Sequence, residues 1–108
     1  MGDLLETSKR IAGSDARFTW ADAAFLEKNK LLESGEIPIW SPTTGEFAGA
    51  SLVSSARAVA QGLRFRDLET TVRDTLAWHH QRPAAQKEKL RAGLPADREA
   101  TLLSQLKA

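Results

Sequence analysis

Arg57, Arg64 and Arg66 stand close together in the chain. Guanidiniums grouped in this way can form a fork for a phosphate or a carboxylate, because each presents paired donors in one plane. The commoner arrangement for such residues is a solvated extended link, in which Arg64 and Arg66 alternate with Phe65 and pair with Asp67 or Glu69. Both readings stay open on the residues alone. His79 and His80 are adjacent, so on a helix their side chains diverge by about 100° and do not chelate one metal from one face. They read as helix-end residues, His79 partly packed and His80 exposed, and no metal ligand set is nominated. Ser8, Ser51, Ser54 and Ser55 have no histidine within any nucleophile motif, and capping accounts for them better. With no cysteine there is no disulfide, thiolate metal site or thiol redox chemistry. The seven glycines are scattered, and none forms the Gly-x-Gly-x-x-Gly turn that seats a pyrophosphate at a helix N-terminus. No catalytic residue is nominated.

The arginines sit in the most patterned part of the chain, Ser54 to Trp78. Ala56, Val59 and Ala60 share one helical face, Ser54 or Ser55 is placed to cap it, and Gly62 supplies a left-handed residue to end it. After the link Gly62-Leu63-Arg64-Phe65-Arg66, Asp67 is an N-cap and Leu68, Val72, Thr75, Leu76 and His79 recur at helical spacing until Pro83 stops the run. The expected unit is helix, short extended link, helix. If the Trp78 ring at the end of this run is buried, removing it would cost about 3–5 kcal/mol.

Elsewhere, Leu4, Leu5, Ser8, Ile11 and Ala12 make a helical face, with Asp3 as cap and Gly13 as terminator. Ala16, Phe18 and Trp20 alternate with polar residues at the period of a strand, and Ala50 to Val53 could supply its partner. Asp22 to Lys30 returns to helical character. From Glu33 to Gly49 the chain is loop-like, punctuated by Gly35, Pro38, Pro42, Gly45 and Gly49, with Trp40 held between the two prolines. Trp40 is either a packed cover over the core or a ligand wall, and packing is the commoner role. Ala84 to Leu90 suggests a short solvated helix, and Pro95 opens a last helix in which Leu102, Leu103 and Leu106 share a face. The fold class expected is α+β and mostly helical: four to five helices with one or two short strands, in one small domain over 1–108.

Two stretches resemble a known family. Phe18-Thr19-Trp20-Ala21-Asp22-Ala23-Ala24-Phe25-Leu26 is similar to the family's Phe-Thr-Trp-Val-Asp-Asp-Ala-Phe-Leu. Ser54-Ser55-Ala56-Arg57-Ala58, then Gly62-Leu63-Arg64-Phe65-Arg66, then Thr71 to Trp78 resembles a helix, a Gly-rich link and a helix ending in Thr-x-x-Trp. Ser54, Ala56 and Asp67 depart from the family's Asp, Ser and Pro. The family is the extended short-chain dehydrogenase/reductases, the NAD(P)-dependent epimerase/dehydratases, in their isoflavone-reductase-like bacterial branch, and the match is to their C-terminal end. The resemblance implies a substrate-binding portion near an active-site cleft, with Pro38-Ile39-Trp40-Ser41-Pro42 in its substrate domain. Trp40 and Phe65 would meet the apolar part of a substrate, and Arg57 or Arg66 an anionic or carbonyl part. The complete enzyme would use NAD or NADP, bound by an N-terminal Rossmann domain absent from this chain. The family's acid/base is a Tyr in a Tyr-x-x-x-Lys pair, and this chain has no tyrosine. The implied role is substrate recognition in a reductase or epimerase, without catalysis by this chain alone.

Composition bounds the alternatives. At 108 residues with net charge +1, the chain has a modest core and no electrostatic case for nucleic acid or an anionic membrane. MGDLLETSKR lacks the apolar segment of a signal peptide, and no apolar run is long enough to cross a bilayer. A cytoplasmic protein is the expectation. The competing reading is a free-standing helical protein-interaction module, which exposed Trp20, Trp40 or Phe47 would mark. A helix-turn-helix regulator ranks last, because Arg64 and Arg66 would have to carry DNA binding in a nearly neutral chain.

Overall fold

A computed structural model describes residues 1–31 and 35–107. The start of the expected loop, at Glu33 and Ser34, lies outside the described residues. The chain divides into two compact units, one formed by Met1–Arg17 with Val53–Lys89 and the other by Phe18–Leu52 with Leu90–Ala108. Both are helical, and among the described residues there is no strand.

The first unit holds α1 (Gly2–Ala12), α3 (Ala56–Ala60), α4 (Leu68–Gln81) and α5 (Ala84–Glu88). α1 begins earlier than its apolar face suggests: Met1 occupies the cap position and Asp3 lies in the first turn, where its charge still complements the helix dipole. Gly13 ends α1 at φ 61°, and the amides of Gly13 and Ser14 donate to the carbonyls of Arg10 and Lys9. A left-handed residue there closes the last turn on its own carbonyls, which glycine does without a Cβ penalty. α4 opens on Asp67, whose carboxylate accepts from the Thr70 amide at 2.8 Å and from the Thr70 hydroxyl at 2.6 Å. It stops at Gln81, just before Pro83. Within this unit α1 packs on α4.

The second unit holds α2 (Ala23–Lys28), a 3₁₀ turn (Ala50–Leu52) and α6 (Ala96–Lys107). Asp22 caps α2 by accepting from the Phe25 amide at 2.8 Å. Its centre is Leu26, Leu31 and Leu102, all buried, with Ala21, Phe25, Ile37, Trp40 and Leu94 packed around them. Arg98 on α6 donates to a Glu36 carboxylate oxygen at 2.8 Å and to the Asn29 carbonyl at 2.9 Å, tying α6 to the chain on either side of residues 32–34.

The two expected strands are corrected. Residues 14–22 form no regular element and no ladder, and Ala50–Leu52 turns as a 3₁₀ helix through Leu52 N to Gly49 O at 3.0 Å. Period-2 alternation in Ala16 to Trp20 is only half of what a strand requires. Its amides and carbonyls also need a neighbouring edge, and the segment meant to provide one satisfies its own groups locally.

Candidate functional site

The joint between α3 and α4 carries most of the residues singled out for binding. α3 closes through a bifurcated arrangement in which the Gln61 amide reaches the carbonyls of Arg57 and Ala58, and Gly62 follows at φ 100°. At that φ a side chain is disfavoured, so the glycine is what lets the chain leave α3 and extend toward Asp67. Neither Ser54 nor Ser55 caps the α3 amides as a regular N-cap would; Ser54 Oγ instead accepts from the Ala56 amide at 3.2 Å.

Across this joint the candidate residues differ in how they are held. Arg66 pairs with Asp74, about two turns into α4, which directs its guanidinium along the helix. The pairing partners expected for a solvated link were Asp67 and Glu69; Asp67 is engaged with Thr70 and Glu69 with Arg10 and Arg73. Phe65 is 70 % exposed. Arg57 lines a shallow hollow with Ser54, Ala58, Ala60 and Gln61. Arg57, Phe65 and Arg66 therefore belong to one unit, flanking one joint. Trp40 belongs to the other unit, half-buried against its leucine core. Ile39 beside it takes φ 58° and is 80 % exposed, an uncommon conformation for a β-branched residue.

A feature that the sequence pattern did not single out lies between α1 and α4. Arg10, near the end of α1, donates to Glu69 at the start of α4 at 2.8 Å, and Glu69 also accepts from Arg73 at 2.6 Å. Since both helices line one groove along their lengths, they run antiparallel. Leu4, Ser8 and Ala12 of α1 face Leu68, Thr71, Val72, Thr75, Leu76, Trp78 and His79 of α4 around it. The threonines do not make it polar. Thr71 Oγ1 donates to the Asp67 carbonyl at 3.2 Å and Thr75 Oγ1 to the Thr71 carbonyl at 2.7 Å, so both hydroxyls are spent on their own helix. Trp78, expected as a core ring if buried, is 60 % exposed, with the Arg82 guanidinium 5.0 Å from its centroid.

The electrostatics follow the same contacts. The Thr70 hydroxyl and then its amide hold the Asp67 carboxyl below its usual value. Hydrogen bonds from Arg10 and Arg73 lower Glu69, and the Glu69 carboxylate raises Arg10. His79 and His80 lie 6.2 Å apart between ring centroids, tilted. Among the described residues no group of three or more His, Cys, Asp or Glu is placed to hold a metal ion, and no helix is long and apolar enough to cross a membrane. The chain matches no protein-family model, no curated protein and no solved structure.

Proposed function

We propose that this chain recognises a small-molecule substrate for an NAD(P)-dependent reductase or epimerase and does no chemistry alone. Cofactor and proton donor then come from an N-terminal Rossmann domain that acts as its partner. The observation that carries this reading is the α3–α4 joint. Its backbone is firmly specified by Gly62 and the Asp67 cap, while Phe65 stands exposed between Arg57 and Arg66 without serving a core. An exposed apolar ring on the same short joint that Arg57 and Arg66 flank in sequence suits a ligand with one apolar part and one anionic or carbonyl part. The complete enzyme would be cytoplasmic.

Amide NMR of the full chain tests it. NADPH alone should leave the spectrum unchanged, whereas one class among sugar nucleotides and phenolic flavonoid-like compounds should shift the signals of Arg57, Phe65 and Arg66. Shifts produced by NADPH would place a cofactor site in this chain and end the reading.

A second reading, a helical protein-interaction module, draws on Trp20 at 65 % and Phe47 at 64 % exposure. Rings left this open in the second unit suit a protein partner. Small molecules would then leave the joint signals in place.

A further inference from the structure

We infer that the hollow beside α3 binds a phosphate group, held by the Arg57 guanidinium with the Ser54 hydroxyl and the Gln61 side-chain amide. These three residues line it together with Ala58 and Ala60, and among the described residues no carboxylate does. Their spacing explains the convergence. Gln61 stands four residues after Arg57, one turn along the same face, and Ser54 stands three residues before it, where the chain enters α3. The whole hollow belongs to the first unit. The inference sharpens the reading of the joint as a ligand site, and rests on it for the rest of the ligand, by assigning the anionic group to Arg57 rather than to Arg66.

Availability separates the arginines. Arg66 is held by Asp74, so an anion bound there would first have to break an ion pair. Arg57 has no hydrogen-bond or ion-pair partner among the described residues, and neither has the Gln61 side chain. Ser54 Oγ accepts from the Ala56 amide, which leaves its own proton to donate. The donor set selects the anion. A guanidinium fork alone satisfies the two oxygens of a carboxylate, whereas a fork, an amide and a hydroxyl offer donors of three kinds to the three terminal oxygens of a phosphate monoester. The field has the right sign: the first unit carries ten basic against seven acidic residues, and no acidic residue stands between Val53 and Arg66. Ala58 and Ala60 add no bulk over the donors. All five lining residues are exposed, so water competes for every donor and the affinity is in the millimolar range.

NMR of the full chain, titrated with inorganic phosphate, phenyl phosphate and acetate at constant ionic strength, tests this. Both phosphates should shift the Arg57 guanidinium and Gln61 side-chain amide signals together and saturably, and acetate should bind roughly tenfold more weakly. Phenyl phosphate binding more tightly than inorganic phosphate would identify an ester as the ligand, and equal binding the free anion. Arg57→Gln should weaken phosphate binding by roughly tenfold through its lost charge-assisted bonds. Ala60→Glu, which puts a carboxylate in the hollow and leaves every donor in place, should abolish it. Arg82→Ala, which removes an equal charge elsewhere on the same unit, should leave it unchanged. Shifts spread alike over the exposed arginines, or equal losses in Arg57→Gln and Arg82→Ala, mark general attraction to a basic surface and overturn the inference. So does acetate binding as tightly as phosphate. Phosphate bound at Arg57 while no substrate class moves Phe65 would sink the substrate reading and keep this site; a substrate that moves Phe65 in a chain indifferent to phosphate would do the reverse.

Discussion

The two units solve the same problem of a small chain in different ways. The second unit closes over Leu26, Leu31 and Leu102, three leucines drawn from α2, the segment after it and α6, and it sets a half-exposed Arg98 as a clasp on Glu36 and Asn29. In the first unit no described side chain is buried to that degree. Its order comes from α1 packing on α4, the Gly13 and Gly62 turns, the Asp67 cap and an Arg10–Glu69–Arg73 chain of surface ion pairs that joins the two helices. The lesson is energetic. Apolar burial holds a unit together in bulk, whereas caps and exposed ion pairs specify a shape while contributing little free energy each. A unit of the second kind keeps its apolar surface available for other molecules.

Substitutions can break this contrast. Leu102→Ala should cost about 2–5 kcal/mol, because it opens a cavity in the leucine cluster of the second unit; chemical denaturation would measure it, with loss of amide protection centred on that unit. A cost below about 1 kcal/mol would show that this unit too is held by local devices. Gly62→Ala should cost about 1–2 kcal/mol through backbone strain alone, since open space surrounds the site. Its amide-exchange signature should be confined to the joint. Ile39→Asn should act in the opposite direction and stabilise by about 1 kcal/mol, because asparagine tolerates the left-handed conformation that a β-branched residue resists.

Acid should separate the units further. Asp67 and Glu69 have folded pKa values lowered from their ordinary ones. A carboxyl of this kind contributes stability that is fully present above its unfolded pKa and is lost as pH falls through the folded value. The first unit should therefore loosen as pH drops through and below the ordinary carboxylate range, with α1 and the start of α4 losing amide protection first. Glu69→Gln should remove that part of the response which comes from the Arg10 and Arg73 contacts. The smallest effect belongs to Trp78→Ala, where a ring 60 % exposed leaves stability within about 0.5 kcal/mol of the parent. A larger drop in melting temperature would mean that the ring packs as core.

Much of the helical framework could be read from residue order. Gly13 with the run before it, Asp67 as a cap, Gly62 as a left-handed break, and Pro83 as a stop are local instructions whose partners lie within a turn. The Ala16–Trp20 strand failed because its signal was local while its requirement was not: a strand exists only where another edge meets it. The α1–α4 groove was missed for a related reason. Leu4, Ser8 and Ala12 announce an apolar face, and so do Leu68 and Val72, but nothing in the order of residues says that these faces meet along an open edge. The Arg10–Glu69 contact, 59 residues apart, had no sequence signal.

By itself, then, the sequence determined where helices start and stop, that no cysteine or tyrosine chemistry is possible, and that Arg57, Phe65 and Arg66 cluster at one joint. Caps, glycine turns and residue identity act over a few bonds and depend on no distant neighbour. Only the tertiary structure decided that Trp40 leans on a leucine core, that Trp78 stands exposed, and that Arg66 spends its charge on Asp74. Burial and pairing are set by which surfaces meet, and the meeting of surfaces far apart in the chain is settled by packing rather than by local order.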